Sequence, residues 1–305
     1  MTWGAVIVAA GRGTRFGRPK QLIAIAGRPM AGWSIDAFAS MAEIAELVIV
    51  TEAEHIEAMQ HLADERVVHG RVTVVRGGAT RQASVRAGLD TLSEDVTAVL
   101  VHDGARPLVR TADVRDGMRP VRPGIASLLA VPVVDTVKVA GPDGKVMRTL
   151  DRSELWAAQT PQFAMLADLR RAHTEAARRG ETAATDDAAL LERAGCDVLI
   201  VPANHDNFKV TVPEDFARAD ALLRERGDQS AEEDMLVVEC FVDPTAVDAV
   251  LLELEARAAR IDEIDRDLPS AAVVRAYLTN AALRGFGARL QAIAGDNALF
   301  TVARH

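Results

Sequence analysis

Residues 5–21 read AVIVAAGRGTRFGRPKQ, an apolar run followed at once by a glycine-rich, cationic loop. The run Ala5-Val6-Ile7-Val8 predicts a buried strand, because consecutive apolar residues suit a strand that is covered on both faces. Gly11 and Gly13 let backbone N–H groups approach an anion with no Cβ in the way. The stretch therefore predicts a strand ending in a phosphate-binding loop, and it favours a nucleotide as the ligand. A basic surface turn after an edge strand is the alternative.

The spacing of the glycines excludes two commoner phosphate loops. The dinucleotide fingerprint G-x-G-x-x-G would need a glycine at Phe16, and Gly17 comes one residue late. A Walker A loop would need Lys and then Ser or Thr after Gly17, where the sequence has Arg18-Pro19-Lys20. Arg15 and Lys20 are therefore predicted to lie on an extended loop that can fold over a triphosphate.

Length and composition restrict the class of protein. A chain of 305 residues with 49% hydrophobic residues can form one large α/β domain with a small addition, or two domains. The net charge of −9 argues against general binding to nucleic acid or to anionic membranes. Cys196 and Cys240 are the only cysteines and indicate neither a disulfide framework nor a zinc site. No signal peptide and no apolar run of ~18 residues is found, so we expect a cytoplasmic protein.

Strand-like and helix-like stretches alternate through the first two thirds of the chain. After the first strand, the pattern predicts helices at 30–41, 52–63 and 81–92 and strands at 47–50, 72–75 and 98–101. Such alternation predicts an α/β fold with a Rossmann-like, mostly parallel sheet and helices on both faces. Ligands of these sheets bind outside the carboxyl ends of the strands. Because the Gly11 loop, Gly77-Gly78 and Asp103 all fall at such ends, we expect one composite site there.

The pattern changes beyond Pro123. A strand at 126–133 is followed by two alternating runs, 135–139 and 145–150, which are joined by the turn residues Gly141-Pro142-Asp143-Gly144. This pattern predicts a β-hairpin. Nothing nearby obviously covers the hairpin, so we expect a projecting arm that pairs with another subunit. The remaining elements of this part are predicted as a helix at 165–179, a strand at 198–201 and a helix that begins at Pro213.

A polar stretch at 228–234 has the composition of a linker between a domain at 1–227 and a small C-terminal α+β unit at 235–305. In that unit we expect strands at 235–242 and 299–302 and helices at 244–261 and 270–286. The unit has no glycine-rich anion loop and no histidines with metal-ligand spacing. The sequence therefore assigns it no chemical role.

Several separated blocks of the first domain occur in the order found in one known family. These blocks are Ala9-Ala10-Gly11-x-Gly13 through Pro19-Lys20-Gln21, Gly77-Gly78 with Arg81 and Ser84, Val101-His102-Asp103 with Ala105-Arg106-Pro107, Asp135-Thr136, Asp151-Arg152, Thr160-Pro161-Gln162, Thr185-Asp186, and Lys209-Val210-Thr211 with Pro213-Glu214-Asp215. The ordered set resembles the cytidylyltransferases that activate 2-C-methyl-D-erythritol 4-phosphate in the non-mevalonate isoprenoid pathway. The resemblance covers roughly residues 1–226, and the usual form of the family lacks the unit that follows.

The resemblance implies a reaction between CTP and 2-C-methyl-D-erythritol 4-phosphate, and it assigns residues to three groups. The implied CTP site consists of Ala9, Ala10, Gly11, Gly13, Gly78, Arg81, Ser84 and Asp103. The implied catalytic set consists of Arg15 and Lys20, which stabilise the transition state, and of Arg152 and Lys209, which bind the substrate phosphate. The implied further contacts to the acceptor substrate are Arg106, near its sugar alcohol, and Thr136 and Thr160, at its phosphate.

The resemblance also implies partners for the reaction. In the family the arm exchanges between subunits, so Thr136 and Arg152 of a homodimer formed through the 135–157 arm would serve the partner's active site. A divalent cation, Mg²⁺, would bridge the phosphates of the nucleotide. Two alternatives remain open at this point: ribitol 5-phosphate as the acceptor, and a nucleotide-binding regulatory protein without catalysis.

Overall fold

The computed structural model describes residues 1–11, 20–64, 70–182, 184–233, 235–257, 259–266, 271–279, 282–283, 285–295 and 297–304. The chain divides into two compact units, residues 1–221 and 222–305. Across the described ranges, no helix is long and apolar enough to cross a membrane.

A seven-stranded sheet forms the centre of the first unit. The strands of this unit are β1 (Trp3–Val8), β2 (Ala24–Ile25), β3 (Arg28–Pro29), β4 (Ile44–Thr51), β5 (Arg71–Arg76), β6 (Ala98–Asp103), β7 (Ile125–Pro132), β8 (Lys138–Ala140), β9 (Val146–Thr149), β10 (Trp156–Met165) and β11 (Asp197–Pro202). The sheet order is β11-β7-β10-β6-β1-β4-β5. Neighbouring strands are parallel except at β10, which is antiparallel to both β6 and β7. The predicted mostly parallel sheet is confirmed.

Helices cover both faces of this sheet, as the alternation of strands and helices predicts. They are α1 (Met30–Ala39), α2 (Ile56–Asp64), α3 (Arg81–Thr91), α4 (Thr111–Met118), α5 (Leu166–Arg178) and α6 (Asp187–Arg193). The next helix along the chain is α7 (Pro213–Glu233), which begins in the first unit and ends beyond residue 221. On one face Ile7 and Leu47 pack in the same cluster as Phe38 of α1, and on the other Val6 joins Leu89 of α3. Because successive strand residues point to opposite faces, the apolar runs of the sequence supply both cores.

The sequence pattern does not predict strand β10. Its centre carries polar side chains and Pro161, and a proline within a run argues against a central strand. The structure nevertheless buries Gln159, Thr160 and Gln162. Pro161 is tolerated because the pairing of β10 with β7 is interrupted between Ala158 and Gln162, where no backbone N–H is needed. The polar side chains of β10 consequently become part of the interior next to the site.

The predicted hairpin is confirmed as the antiparallel pair β8 and β9. Its apolar side chains are largely exposed, with 60% exposure for Val146 and 73% for Met147. Val134, just before β8, is 67% exposed. We call residues 135–157 the arm.

The stretch predicted to be a linker, 228–234, instead continues helix α7 as far as Glu233. The residues of this stretch are mainly good helix formers, such as glutamate, glutamine and alanine. A polar, charged composition is therefore compatible with a solvated helix as well as with a linker. Gly227 lies within the helix, where a glycine costs about 1 kcal/mol relative to alanine.

The second unit has the element order β-α-β-β-α-β. Its elements are β12 (Met235–Val242), α8 (Val247–Ala256), β13 (Arg260–Asp265), β14 (Ala272–Thr279), α9 (Phe286–Ala294) and β15 (Leu299–Arg304). The sheet order is β13-β14-β12-β15, and all neighbours are antiparallel. This is the ferredoxin-like arrangement, so the predicted small α+β unit is confirmed.

Two helices predicted in this unit have the wrong extent or type. The predicted helix at 244–261 ends as α8 at Ala256, and strand β13 begins at Arg260. Within the predicted helix at 270–286, residues 272–279 form strand β14 instead. Its buried residues alternate as Ala272, Val274, Ala276 and Leu278, which is the period of a half-buried strand. The sequence does not reveal this strand period, because its alanines are equally compatible with a helix.

Candidate active site

A cavity of about 800 Å³ opens at the carboxyl ends of β1, β4, β5 and β6. Its volume lies within the range of ligand pockets, which is roughly 300–1,000 Å³. Its lining includes small backbone-exposing residues, hydroxyl groups and both signs of charge: Ala10, Gly11, Lys20, Gln21, Glu52, Arg76, Gly77, Gly78, Thr80, Arg81, Ser84, Asp103, Lys209 and Thr211. Gly11, Gly77-Gly78 and Asp103 thus meet at one edge, as their positions in the sequence predict.

The loop after β5 is closed onto the start of α3 by two hydroxyl groups. Thr80 caps α3, since its Oγ1 accepts a hydrogen bond from the Ala83 N–H at 3.1 Å. The Ser84 hydroxyl accepts from the Gly78 N–H at 3.1 Å and donates to the Thr80 carbonyl at 2.9 Å. A Cβ at Gly77 would lie 2.6 Å from Ala10 Cβ, so only glycine lets this loop approach the end of β1. The loop is therefore held in place before any ligand binds.

Asp103 lies between two cations at the end of β6. Its Oδ1 is 3.1 Å from Arg81 Nε and its Oδ2 is 2.8 Å from Lys209 Nζ. Burial alone would raise the pKa of Asp103, but the charges of Arg81 and Lys209 outweigh it and hold the pKa well below its usual range. Asp103 is therefore an anion at any physiological pH, with both oxygens engaged.

Residues 207–211 are tied to the loop after β6. The Val210 N–H donates to the Ala105 carbonyl at 2.8 Å, and Arg106 Nη1 donates to the Asn207 carbonyl at 2.7 Å. Lys20 Nζ donates to the Val210 carbonyl at 2.7 Å, which brings the end of the first loop to the same segment. These three bonds place Lys20 and Lys209 on one cavity although 189 positions separate them in the sequence.

His102 lies behind this arrangement and is fully buried. Its Nε2 is 3.2 Å from the Arg106 carbonyl, which can only accept, so Nε2 carries the proton. Its Nδ1 then accepts from the Thr160 hydroxyl at 3.1 Å, and that oxygen accepts from the Asp103 N–H at 3.0 Å. Burial lowers the pKa of His102 to about 4, so the ring is neutral. His102 thus links Thr160 of β10 to Asp103 and Arg106.

The low pKa of His102 predicts a pH-dependent contribution to stability. An unfolded histidine has a pKa of about 6.5, so the unfolded state takes up a proton before the folded state does. Stability is therefore complete above about pH 6.5 and is lost as the pH falls toward the folded pKa. We expect the wild type to lose about 2 kcal/mol between pH 7 and pH 5 beyond any loss in His102→Gln. Urea unfolding at both pH values measures this, and parallel pH dependences of the two proteins would contradict it.

A model of the family described as 2-C-methyl-D-erythritol 4-phosphate cytidylyltransferase matches residues 4–225. The chain belongs to this family. Among curated relatives, the cytidylyltransferase of this name from Pelotomaculum thermopropionicum is 41% identical over 231 residues, which cover 75% of this chain and 97% of the relative. The one from Roseobacter denitrificans is 43% identical over 228 residues, covering 74% and 99%.

Solved structures agree with the assignment. The 2-C-methyl-D-erythritol 4-phosphate cytidylyltransferase of Thermus thermophilus is 32% identical with a TM-score of 0.60, and the match covers 72% of this chain and 98% of that one. A 4-diphosphocytidyl-2C-methyl-D-erythritol synthase from Anaerococcus prevotii is 27% identical with a TM-score of 0.65, covering 73% and 98%. These matches confirm the family and the fold that the sequence predicts. Family membership also makes this protein a CTP-dependent cytidylyltransferase, which sets the regulatory-protein hypothesis aside.

The predicted site residues fall into three groups in the structure. Those that line the cavity are Ala10, Gly11, Lys20, Gly78, Arg81, Ser84, Asp103 and Lys209. Three more lie next to the cavity without lining it: Ala9, which follows β1, Arg106, which lies in the loop after β6, and Thr160, which accepts a hydrogen bond from the Asp103 N–H. Thr136 and Arg152 are exposed on the arm and do not line the cavity. Gly13 and Arg15 lie outside the described residues.

Sequence reasoning missed several residues that shape the site. Glu52 and Arg76 line the cavity at the ends of β4 and β5. Asp187 is buried and ion-paired with Arg81. One signal was available for Asp187: two aspartates stand together at the start of α6, and a helix needs only one side chain at its N-cap.

Proposed function

We propose that this protein transfers the cytidylyl group of CTP to 2-C-methyl-D-erythritol 4-phosphate, giving 4-diphosphocytidyl-2-C-methyl-D-erythritol and pyrophosphate for isoprenoid precursor biosynthesis. The observation that carries the proposal is the ion-paired row at the edge of the sheet, in which Asp103 bridges Arg81 and Lys209. Arg81 begins the helix behind the Gly77-Gly78 loop, on the nucleotide side. Lys209 belongs to the segment that faces the acceptor in our assignment.

The chain's own residues supply charge and position rather than proton transfer. The acceptor is a phosphate, so its attacking oxygen is already anionic and needs no general base. Asp103 is unsuited to that role, since both of its oxygens are ion-paired and its pKa is depressed. In our assignment Lys20, with Arg15, neutralises charge that develops on the α-phosphate and on the leaving pyrophosphate. Lys209 and Arg152 hold the acceptor phosphate in line with the α-phosphorus.

The carboxylates of the cavity fit a magnesium ion that the nucleotide itself carries. Mg²⁺ commonly keeps several waters and binds one or two carboxylates together with substrate phosphates. Within the described part of the chain, no group of three or more histidine, cysteine, aspartate or glutamate side chains could hold a metal ion. Glu52 and Asp103 are the carboxylates that line the cavity, and Asp103, whose two oxygens are ion-paired, would contact such an ion through its waters. When bound, the ion would neutralise phosphate charge in the transition state.

The arm supports a homodimer as the working form. A two-stranded hairpin by itself is marginally stable, and this one exposes Val134, Val146 and Met147. Arg152 Nη1 donates a hydrogen bond to the Val134 carbonyl at 2.7 Å. We propose that the arm of each subunit packs on its partner and brings Thr136 and Arg152 to the partner's cavity. We place this enzyme in the cytoplasm, where its nucleotide substrate is made.

An acceptor comparison tests the proposed reaction. Pyrophosphate release from CTP is measured with 2-C-methyl-D-erythritol 4-phosphate and with ribitol 5-phosphate as alternative acceptors. The relatives described above carry the methylerythritol name, so we expect kcat/KM to favour the methylerythritol acceptor by at least about 10²-fold, as for a site built to bond one set of hydroxyl groups. Preference for ribitol 5-phosphate would overturn the choice of acceptor.

Mixing two inactive variants tests the exchange of arms. If Arg152 serves the partner's cavity, a heterodimer of Lys20→Ala and Arg152→Ala contains one site with both residues intact and one site with neither. Random exchange of equal amounts should then restore about a quarter of wild-type activity. Both homodimers alone, subjected to the same exchange, serve as controls. Failure to regain activity, when exchange is verified by mass, would show that Arg152 acts within its own subunit or not at all.

A further inference from the structure

Asp187 is a buried carboxylate that the proposed reaction leaves without a role. It is the first residue of α6 and only 1% exposed. Its Oδ2 is 2.8 Å from Arg81 Nη1, and its Oδ1 is 3.3 Å from His173 Nε2 on α5. Burial would raise the pKa of Asp187, but Arg81 and His173 outweigh that effect and lower it. The side chain is therefore an anion on the side of Arg81 that Asp103 does not occupy.

The start of helix α6 does not need this carboxylate. Asp186 is the N-cap, and its Oδ1 accepts from the Ala189 N–H at 3.0 Å. The backbone N–H groups of Asp187 and Ala188 both donate to Gln162 Oε1 at 2.9 Å. Three of the N–H groups that a helix N-terminus leaves open are thus satisfied by other side chains. The Asp187 carboxylate is free to act outside its own helix, and Gln162 of β10 fixes its position.

We propose that Asp187 is a positioning residue for nucleotide binding. It holds the Arg81 guanidinium, so that Asp103 can pair with Lys209 as well as with Arg81. Arg81 divides its donors between the two carboxylates, Nη1 to Asp187 and Nε to Asp103. Charges consequently alternate along the row Asp187, Arg81, Asp103 and Lys209. Without Asp187, Asp103 would be the only carboxylate of the row for two cations.

Arg81 retains a donor beyond these two bonds. Its Nη2 is buried and has no hydrogen-bond partner among the residues that the structure describes. A buried donor without a partner destabilises the fold, so its presence indicates that it binds a ligand or has another function. Since Arg81 lines the cavity, its orientation decides whether that donor faces a bound nucleotide. Asp187 fixes the orientation from behind.

The inference rests on the proposed cytidylyl transfer, and the test separates the two. In Asp187→Asn the side chain keeps its shape and loses its charge. We expect KM for CTP to rise about tenfold, with kcat within about threefold of wild type and KM for the acceptor nearly unchanged, as for lost ground-state binding. Asp90→Asn is the matched control, because Asp90 also pairs with an arginine of α3, Arg86, but on an exposed face.

A double-mutant cycle distinguishes positioning from a structural role. In an Arg81→Met background, Asp187→Asn should add no further rise in KM for CTP, because the group that it orients is gone. If Asp187→Asn does not fold, His173→Asn loosens the same carboxylate while retaining its charge and should raise KM for CTP by about threefold. A wild-type KM for CTP in Asp187→Asn, or in His173→Asn where Asp187→Asn does not fold, would overturn the inference, as would equal effects of Asp90→Asn and Asp187→Asn. A wild type that releases no pyrophosphate from CTP and 2-C-methyl-D-erythritol 4-phosphate would overturn the proposed function instead.

Discussion

Lys20→Ala is expected to lower kcat by about 10²–10³-fold, the typical loss for one preorganised donor at a developing anion. Lys20 lines the cavity, and its Nζ is held 2.7 Å from the Val210 carbonyl. Its charge is therefore already in position when the transition state forms, and water is a poor substitute for it. Steady-state pyrophosphate release with saturating CTP and acceptor measures the loss.

The protein should stay folded after this change. Loss of the hydrogen bond to Val210 costs about 1 kcal/mol, which lowers Tm by a few degrees in a domain of this size. Lys145→Ala is the control for removing a lysine, because the Lys145 side chain is 87% exposed and pairs only with the exposed Asp143 among described partners. A Lys20→Ala enzyme that keeps a tenth of wild-type kcat at an unchanged Tm would contradict the assigned role.

Asp103→Asn should lower activity about as much as Lys20→Ala does, for a different reason. Asparagine keeps the shape of the side chain but leaves Arg81 and Lys209 facing each other without the anion between them. Removing one member of a buried charge pair typically costs about 3–5 kcal/mol, roughly 10²–10⁴-fold when the loss falls on the transition state. We expect kcat/KM for both substrates to fall to that extent, and we expect a lower free energy of unfolding.

The depressed pKa of Asp103 fixes how this stability loss depends on pH. Its contribution is present above the unfolded pKa of about 4 and is lost as the pH falls through the lower folded pKa. From about pH 5 to pH 8 the difference in unfolding free energy between wild type and Asp103→Asn should therefore be constant. Asp90→Asn is the matched control, since Asp90 pairs with Arg86 on the exposed side of the same α3 helix. A difference that grew between about pH 5 and pH 8 would contradict the pairing.

The sequence predicts the sheet where burial follows a simple period. β1, β4, β5 and β6 are short apolar runs between amphipathic helices, so local pattern and tertiary structure agree. They disagree at β10, whose polar residues are buried because His102 and the start of α6 satisfy them. They disagree again at β14, where alanine is compatible with either period. Contacts between distant segments decided both cases, and a single sequence does not display such contacts.

Contacts between distant segments also decide which residues of the site could be predicted from the sequence. Gly11, Gly78, Asp103 and Lys209 could be placed from glycine-rich turns at strand ends and from the family resemblance. His102 and Asp187 could not, because their roles depend on what lies behind the cavity rather than on neighbours in the chain. Arg152 and Thr136 show the opposite case: the sequence names them, yet one subunit leaves them exposed on the arm.

In the proposed reaction the acceptor phosphate attacks the α-phosphorus of CTP. ³¹P NMR of the products formed by wild-type enzyme, CTP, Mg²⁺ and 2-C-methyl-D-erythritol 4-phosphate tests this directly. We expect an unsymmetrical diphosphate, seen as two coupled doublets, together with an equal amount of pyrophosphate. Release of CDP or orthophosphate in place of pyrophosphate would mean attack at a different phosphorus and would rule out the proposed reaction.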